Sequence, residues 1–336
     1  MKIALVGTGT ISESIHIPIL QSIPNVDLAA ICDSNQRQLE RVADKFRILR
    51  KFTDVDSLLK SCDVDIMDIA TPGFTHFDIA RKAISLGINT LIEKPATLSC
   101  REAEILEHEA SKKKLKVGVC QTYRYREPVR QLQKICESGR IGTIDKMISI
   151  HHGSSIFGLP PWFWNEKTSG GILFELGIHD VDLQCYLMGS PKEVLYAAAI
   201  YDQTLEFTTS ISAIVKYEDS IGIVDLKWLS SSNFFHQYIS GSISDAIIKL
   251  FPDSLTLQQS DFTPLSECIS ELRRIYNFGS SVLRKRYSVV SQLPHRIIIE
   301  DFIKSVKMDK PALVPISGVI PTIRLAEEIW SKAHKS

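Results

Sequence analysis

The chain has 336 residues, 44% hydrophobic and 23% charged, which is too long for one ordinary core and fits two. Lys plus Arg and Asp plus Glu each number 39, so a chain-wide cationic field for nucleic acid or anionic lipid is excluded. No apolar run nears the ~20 residues that cross a bilayer, the stretch before Gly7 is too short for a signal peptide, and seven scattered cysteines without a CxxC pair suggest a reducing, cytoplasmic setting without disulfides or a thiolate metal site.

Lys2–Val6 is a short apolar run, the pattern of a strand buried on both faces of a parallel sheet. After Gly7-Thr8-Gly9, the spacing of Ile11, Ile15, Ile19 and Leu20 predicts a helix, with a kink or early break at Pro18. Val26–Cys32 reads as a second strand ending at Asp33, and Ser34 as the cap of a polar helix through Phe46. Further strands are expected at Val64–Ala70, Ile88–Ile92 and Lys116–Cys120. Helices are expected at Phe77–Leu86 and from Ser99 to Lys113. Strand and helix alternate throughout, which predicts a doubly wound parallel sheet.

Open sheets of this kind bind ligands at the carboxyl ends of their strands. Gly7-x-Gly9-x-x-Ser12 sits there, after a first strand and at the opening of a helix. The first glycine permits the tight turn, the second lets backbone approach a pyrophosphate, and the helix start offers free N–H groups to its charge. Thr8, Thr10 and Ile11 complete that turn. Asp33 at the next strand end is placed to accept from ribose hydroxyls and would repel a 2′-phosphate, which favours NAD, with NADP as the alternative. Arg37, one turn into the polar helix, reads as solvated.

Beyond Tyr123 the pattern changes. Pro128–Gly139 is one more helix, followed by strand-like segments at Asp145–His152, Leu195–Tyr201, Thr204–Tyr217, Ser220–Leu229, Gln237–Ser242, Ala246–Leu250 and Ser254–Gln259. The fold class expected is α/β: a Rossmann domain over residues 1–122, then an α+β domain with an open, mainly antiparallel sheet over residues 123–336. Helices at His295–Val306 and Pro321–Lys332 close the chain.

Four stretches carry a resemblance: Val6-Gly7-Thr8-Gly9; Ile69-Ala70-Thr71-Pro72 with His76; Glu93-Lys94-Pro95 with Gly118 and Tyr123-Arg124; and Trp162 through Ser169-Gly170-Gly171, then Glu175-x-Gly177-x-His179-x-x-Asp182. Together they resemble the glucose-fructose oxidoreductase / inositol dehydrogenase / MocA family of nicotinamide-dependent enzymes, from Met1 to about Pro191. The resemblance implies cofactor contacts at Thr71, Pro72, His76, Glu93 and Lys94, the ribose-binding carboxylate being Glu93. It implies that His179 is the general base for a secondary hydroxyl, and that the final helix returns to the cofactor domain.

Lys94, ending a strand at the cofactor edge, is read as stabilising developing alkoxide charge, and Pro95 as following a cis bond. Glu175 and His179 are spaced i, i+4 and would share a face if Phe174–Leu187 is helical. The family usually has Asp where Glu175 stands, a third glycine at Ile172 and an Arg at Phe163. Asp180 reads as a surface residue and Asp182 as structural, so no metal is expected, and His151-His152 lacks a third ligand at zinc spacing. Tyr123, Arg124, Trp162 and Trp164 are the candidate substrate contacts. The loop Pro160–Trp164 is read either as stacking on a sugar ring or as plugging a domain interface.

The basic, aromatic stretch 271–286 reads first as a solvated charged helix, with an anion grip or an anionic surface as alternatives. The expected activity is hydride transfer between a nicotinamide and a secondary alcohol of a sugar, polyol or sugar derivative. The expected partners are that small molecule and, through the C-terminal sheet, further copies of the chain; neither nucleic acid nor membrane is among them. An NAD-dependent glycoside hydrolase and a non-catalytic NAD-sensing regulator are the alternatives.

Overall fold

The computed structural model describes residues 1–154, 158–250, 253–258 and 287–335, so Cys268 and the stretch 271–286 lie outside the described residues. The chain divides into two compact units, Met1–Gln121 with His295–Ile323, and Thr122–Pro294 with Arg324–Ser336. His295–Ile323 thus joins the first unit, where the sequence expectation ran the second domain unbroken to Ser336.

The first unit alternates β1 (Lys2–Val6), α1 (Ile17–Ser22), β2 (Asp27–Cys32), α2 (Gln36–Phe46), β3 (Lys51–Phe52), α3 (Val55–Ser61), β4 (Ile66–Ile69), α4 (His76–Ser85), β5 (Asn89–Ile92), α5 (Cys100–Lys112) and β6 (Val117–Val119). All pairings are parallel, in the order β3-β2-β1-β4-β5-β6. This is the doubly wound order whose direction reverses at β1, and the crevice between β1 and β4 is where such sheets take ligands. Leu5, Ile17, Ile31, Leu39 and Val42 form one apolar layer of its core.

Two local expectations are corrected. Asn35, rather than Ser34, caps α2, its side-chain oxygen accepting from the Gln38 N–H at 3.1 Å. The segment after Gly9 does not break at Pro18: a π-helical turn, Ser12–His16, precedes α1 and leaves Pro18 in the first turn, where its missing N–H costs little.

The second unit holds α6 (Glu127–Glu137), β7 (Ile144–His152), α7 (Glu166–Ser169), α8 (Ile178–Met188), β8 (Glu193–Asp202), β9 (Phe207–Lys216), β10 (Ile221–Lys227), β11 (Phe234–Gly241), β12 (Asp245–Lys249) and β13 (Ser254–Gln258). Its sheet runs β13-β12-β11-β7-β10-β9-β8, antiparallel at every pairing except β7 with β10. That parallel pair needs a long crossover, which the chain between the two strands provides. Val129, Leu132, Met147, Leu183, Phe235 and Ile248 form the layer between helices and sheet. Helix α9 (Tyr287–Met308) and helix α10 (Ile320–Ala333) each run from one unit into the other. Among the described residues, six cysteines are free thiols, and no helix is long and apolar enough to cross a membrane.

Candidate active site

In the first unit the candidates gather where β1, β2, β4 and β5 end. Gly7 has φ +94°, and a Cβ there would stand 2.3 Å from the Ala70 carbonyl oxygen, so strand proximity and turn geometry both demand glycine. A Cβ on Gly9 would meet nothing within 4 Å, leaving its backbone open to a close ligand. Thr8 is turned inward: its N–H and its hydroxyl both donate to Asp33 Oδ2, at 2.7 and 2.9 Å, while Asn35 N–H donates to Oδ1 at 2.8 Å. Asp33 is therefore held at the lip of the turn by three donors. Gln38 adds a brace, donating from Nε2 to the Thr8 carbonyl at 2.8 Å. Its helix position carried no motif that marked it. Thr10 is exposed, Ile11 half-buried, and Ser12, at the third-glycine position, buried.

His76 does not face a ligand through its ring nitrogens. Nδ1 is 2.7 Å from the Pro95 carbonyl oxygen and Nε2 is 2.8 Å from that of Thr71. The ring thus ties the Thr71-Pro72 turn to the Lys94-Pro95 turn. Burial lowers its pKa, against the pull of those two carbonyls. The Lys94–Pro95 bond is cis, as expected, and Lys94 is half-buried. Glu93 is buried, and its Oε2 accepts from the Lys94 N–H at 3.1 Å. Together the open Gly9 backbone, the anchored Asp33 and the buried Glu93 fit a dinucleotide laid across the switch point. A depression of about 1350 Å³ on this unit lies at the opposite edge, lined by Met1, Asn25, Asp65 and Ile88 before their strands begin, away from this chemistry.

In the second unit, Leu173–Gly177 is a π-helical turn that leads into α8, which corrects the regular helix expected over Phe174–Leu187. Glu175 is half-buried within that turn and His179 follows it. Gly170 and Gly171 make the approach at φ +75° and +65°; a Cβ on the first would meet Phe174 at 2.6 Å and on the second Trp330 at 2.6 Å. His179, 8% exposed, stacks on Tyr123 with centroids 3.8 Å apart and planes 7° off parallel. Burial raises the Tyr123 pKa and keeps the phenol neutral.

Ile178 through Gln184 are all buried, so Asp180 is not the surface residue expected. It accepts from Gln237 Nε2 at 2.7 Å and pairs with His151 Nδ1 at 2.8 Å. His151 and Gln237 sit on neighbouring strands, a pairing that helical spacing alone does not reveal. Asp182 is structural, as expected. Arg124 grips it with two bonds of 2.7 and 2.6 Å, and although burial opposes the charge, Asp182 holds the guanidinium pKa up. Arg124 thus anchors α8. The aromatic loop packs within its own unit: Phe163 stacks on Phe207 at 5.6 Å, with Trp162, Trp164 and Trp228 around them.

Residues 1–121 match the family model described as "Oxidoreductase family, NAD-binding Rossmann fold", and residues 129–242 match that of the "GFO/IDH/MocA C-terminal domain". Among characterised proteins, the chain is 24% identical over 194 residues to D-glucoside 3-dehydrogenase of Escherichia coli, covering 57% of this chain and 55% of that protein. It is 30% identical over 194 residues to glucose-6-phosphate 3-dehydrogenase of Bacillus subtilis, covering 56% and 54%. The chain thus spans about half the length of the curated relatives it matches. The fold also matches that of the WlbA dehydrogenase from Bordetella pertussis, solved with NADH and UDP-GlcNAcA. The TM-score is 0.86 at 19% identity, over 100% of this chain and 96% of that one.

Proposed function

We propose, from the premise that this chain belongs to the Gfo/Idh/MocA oxidoreductase family, that it is an NAD-dependent dehydrogenase acting on a secondary hydroxyl of a sugar, polyol or sugar derivative. The observation that carries the cofactor half is the pair of glycines. One is closed by Ala70 and the other open to an approaching phosphate, beside an aspartate held at the lip by Thr8 and Asn35. Gly7 and Gly9 with the helix start would hold the pyrophosphate, Asp33 the adenosine ribose, and Glu93 the ribose on the nicotinamide side. Bound there, the nicotinamide supplies a hydride acceptor or donor.

The chain's own residues do the proton chemistry. His179, held flat against Tyr123, takes the hydroxyl proton in the oxidative direction. Lys94 hydrogen-bonds the same oxygen and offsets the negative charge it gains. Glu175, one turn before His179, orients it or the substrate. The reading requires Lys94 and His179 to act on one substrate carbon. Both relatives above are named for oxidation at a sugar 3-position, which supports a secondary ring hydroxyl as the target.

Self-association belongs to the same reading: Tyr196 and Ile200 on β8 are 53% and 64% exposed and fit a second copy, which a light-scattering mass would show. A thermal-shift survey of sugars, polyols and nucleotide sugars with NAD and NADP selects the substrate, and Lys94→Met tests the chemistry. NAD affinity is expected to stay near that of the native chain while turnover falls by about 10² or more. Retained turnover would reject the assignment.

A further inference from the structure

His16 and Asp68, which have no task in the chemistry above, form an ionic cluster with Glu93 in the first unit. His16, the last residue of the π-helical turn, is 0% exposed. Its Nδ1 lies 2.8 Å from Asp68 Oδ2 on β4, and its Nε2 lies 3.0 Å from Glu93 Oε1 just past β5. Two carboxylate oxygens at these distances each take a ring hydrogen, and only the imidazolium has two. A neutral ring would aim one lone pair at a carboxylate oxygen inside the core, where nothing screens the repulsion.

The other groups facing this pair are few. His295 on α9 has Nε2 3.6 Å from Glu93 Oε1 and meets the His16 ring edge-on at 6.0 Å. The buried Cys120 thiol, just past β6, has its pKa raised by burial and then by the Glu93 charge, and His76 feels the same carboxylate. Burial alone would pull the His16 pKa down, but Asp68 and Glu93 override it and hold it up at about 10. Burial likewise works against ionised Glu93, and His16 and His295 keep it well below the usual carboxylate range. His16, Glu93 and Cys120 bring donor atoms within 4.8 Å of one another, but a metal would have to break the His16–Glu93 bond to use them.

We propose that His16 is a positioning residue for the cofactor: as an imidazolium bridging Asp68 and Glu93, it fixes the direction and charge of the carboxylate that receives the nicotinamide-side ribose. This rests on the cofactor reading above. Glu93 Oε1 faces both His16 and His295 Nε2, the latter at 3.6 Å, while Oε2, steadied by the Lys94 N–H, keeps a lone pair to offer.

The amide side chains separate the two halves of the bridge. Gln at position 16 places a neutral donor near Nε2 and keeps a bond to Glu93; Asn places its donor near Nδ1 and keeps only the bond to Asp68. His16→Asn is expected to weaken NAD binding by about tenfold or more, and His16→Gln by clearly less, with turnover at saturating NAD within about threefold of native in both. In a Glu93→Gln background the Asn–Gln difference should vanish. Equal NAD affinity in the two variants, or a difference that survives Glu93→Gln, overturns the proposal.

If the variants fail to fold, ¹⁵N-histidine spectra of the native chain decide: an imidazole with both N–H protons at about pH 8 is expected, and its absence refutes the bridge. If the native chain itself binds no NAD, the cofactor reading falls and this role falls with it. NAD bound alike by native chain and variants removes only the role of His16.

Discussion

Two histidines sit at or just past π-helical turns, one in each unit, and different neighbours surround them. His16 closes Ser12–His16 with a carboxylate on each ring nitrogen and no exposure. His179 follows Leu173–Gly177 and lies flat against a neutral tyrosine at 3.8 Å. A ring held as a cation by two buried anions cannot accept a proton in the working pH range, so His16 can only organise other groups. An aromatic face fixes the plane of His179, and a ring whose plane is fixed suits the proton transfer proposed for it. The same local backbone device thus carries a static charge in one unit and the proposed base in the other.

The largest effect that would break this contrast belongs to His179. His179→Asn is expected to lower turnover by about 10²- to 10⁴-fold with thermal stability nearly unchanged, read by steady-state kinetics beside a melting curve. Asp182→Asn leaves the Arg124 guanidinium buried without its anion and should cost about 3–5 kcal/mol in chemical denaturation, reporting on scaffold rather than chemistry. Gly7→Ala should prevent stable folding of the first unit, because its Cβ has no room beside Ala70. Gly9→Ala should fold normally and lose about tenfold in NAD affinity.

The smallest effect is in pH dependence. The His16 pKa is raised from the ordinary 6.5 to about 10, so its contribution to stability is complete below pH 6.5 and fades as pH rises toward 10. Glu93 is shifted down from 4.5, so its contribution is present above that value and lost as pH falls below it. A melting temperature that declines on the alkaline side in the native chain, and flattens there in His16→Gln, would match this sign. The opposite slope would not.

Much of the first unit was legible because its strands are short apolar runs closed by Gly, Asp or Pro, and its glycine turn is spaced by the chemistry it serves. The strands of the second sheet were legible by alternation, but the parallel pairing of β7 with β10 was not, since alternation does not encode partner or direction. Asp180 was misplaced because a polar residue on a helix suggests solvent. Only the neighbouring strands, bringing His151 and Gln237, show why it is buried. His16 and Asp68 are 52 residues apart and carry no spacing that marks them as a pair. The π-helical turns left no signal either: side chains at helical spacing are compatible with both geometries.

The central claim is that Lys94 and His179 serve one hydride transfer to or from NAD. The direct measurement is the rate of NADH formation by the native chain, Lys94→Met and His179→Asn, on the sugar that most raises the melting temperature with NAD present. The account predicts NADH from the native chain and almost none from either variant, each still binding NAD. Variants that turn over at the native rate would contradict it.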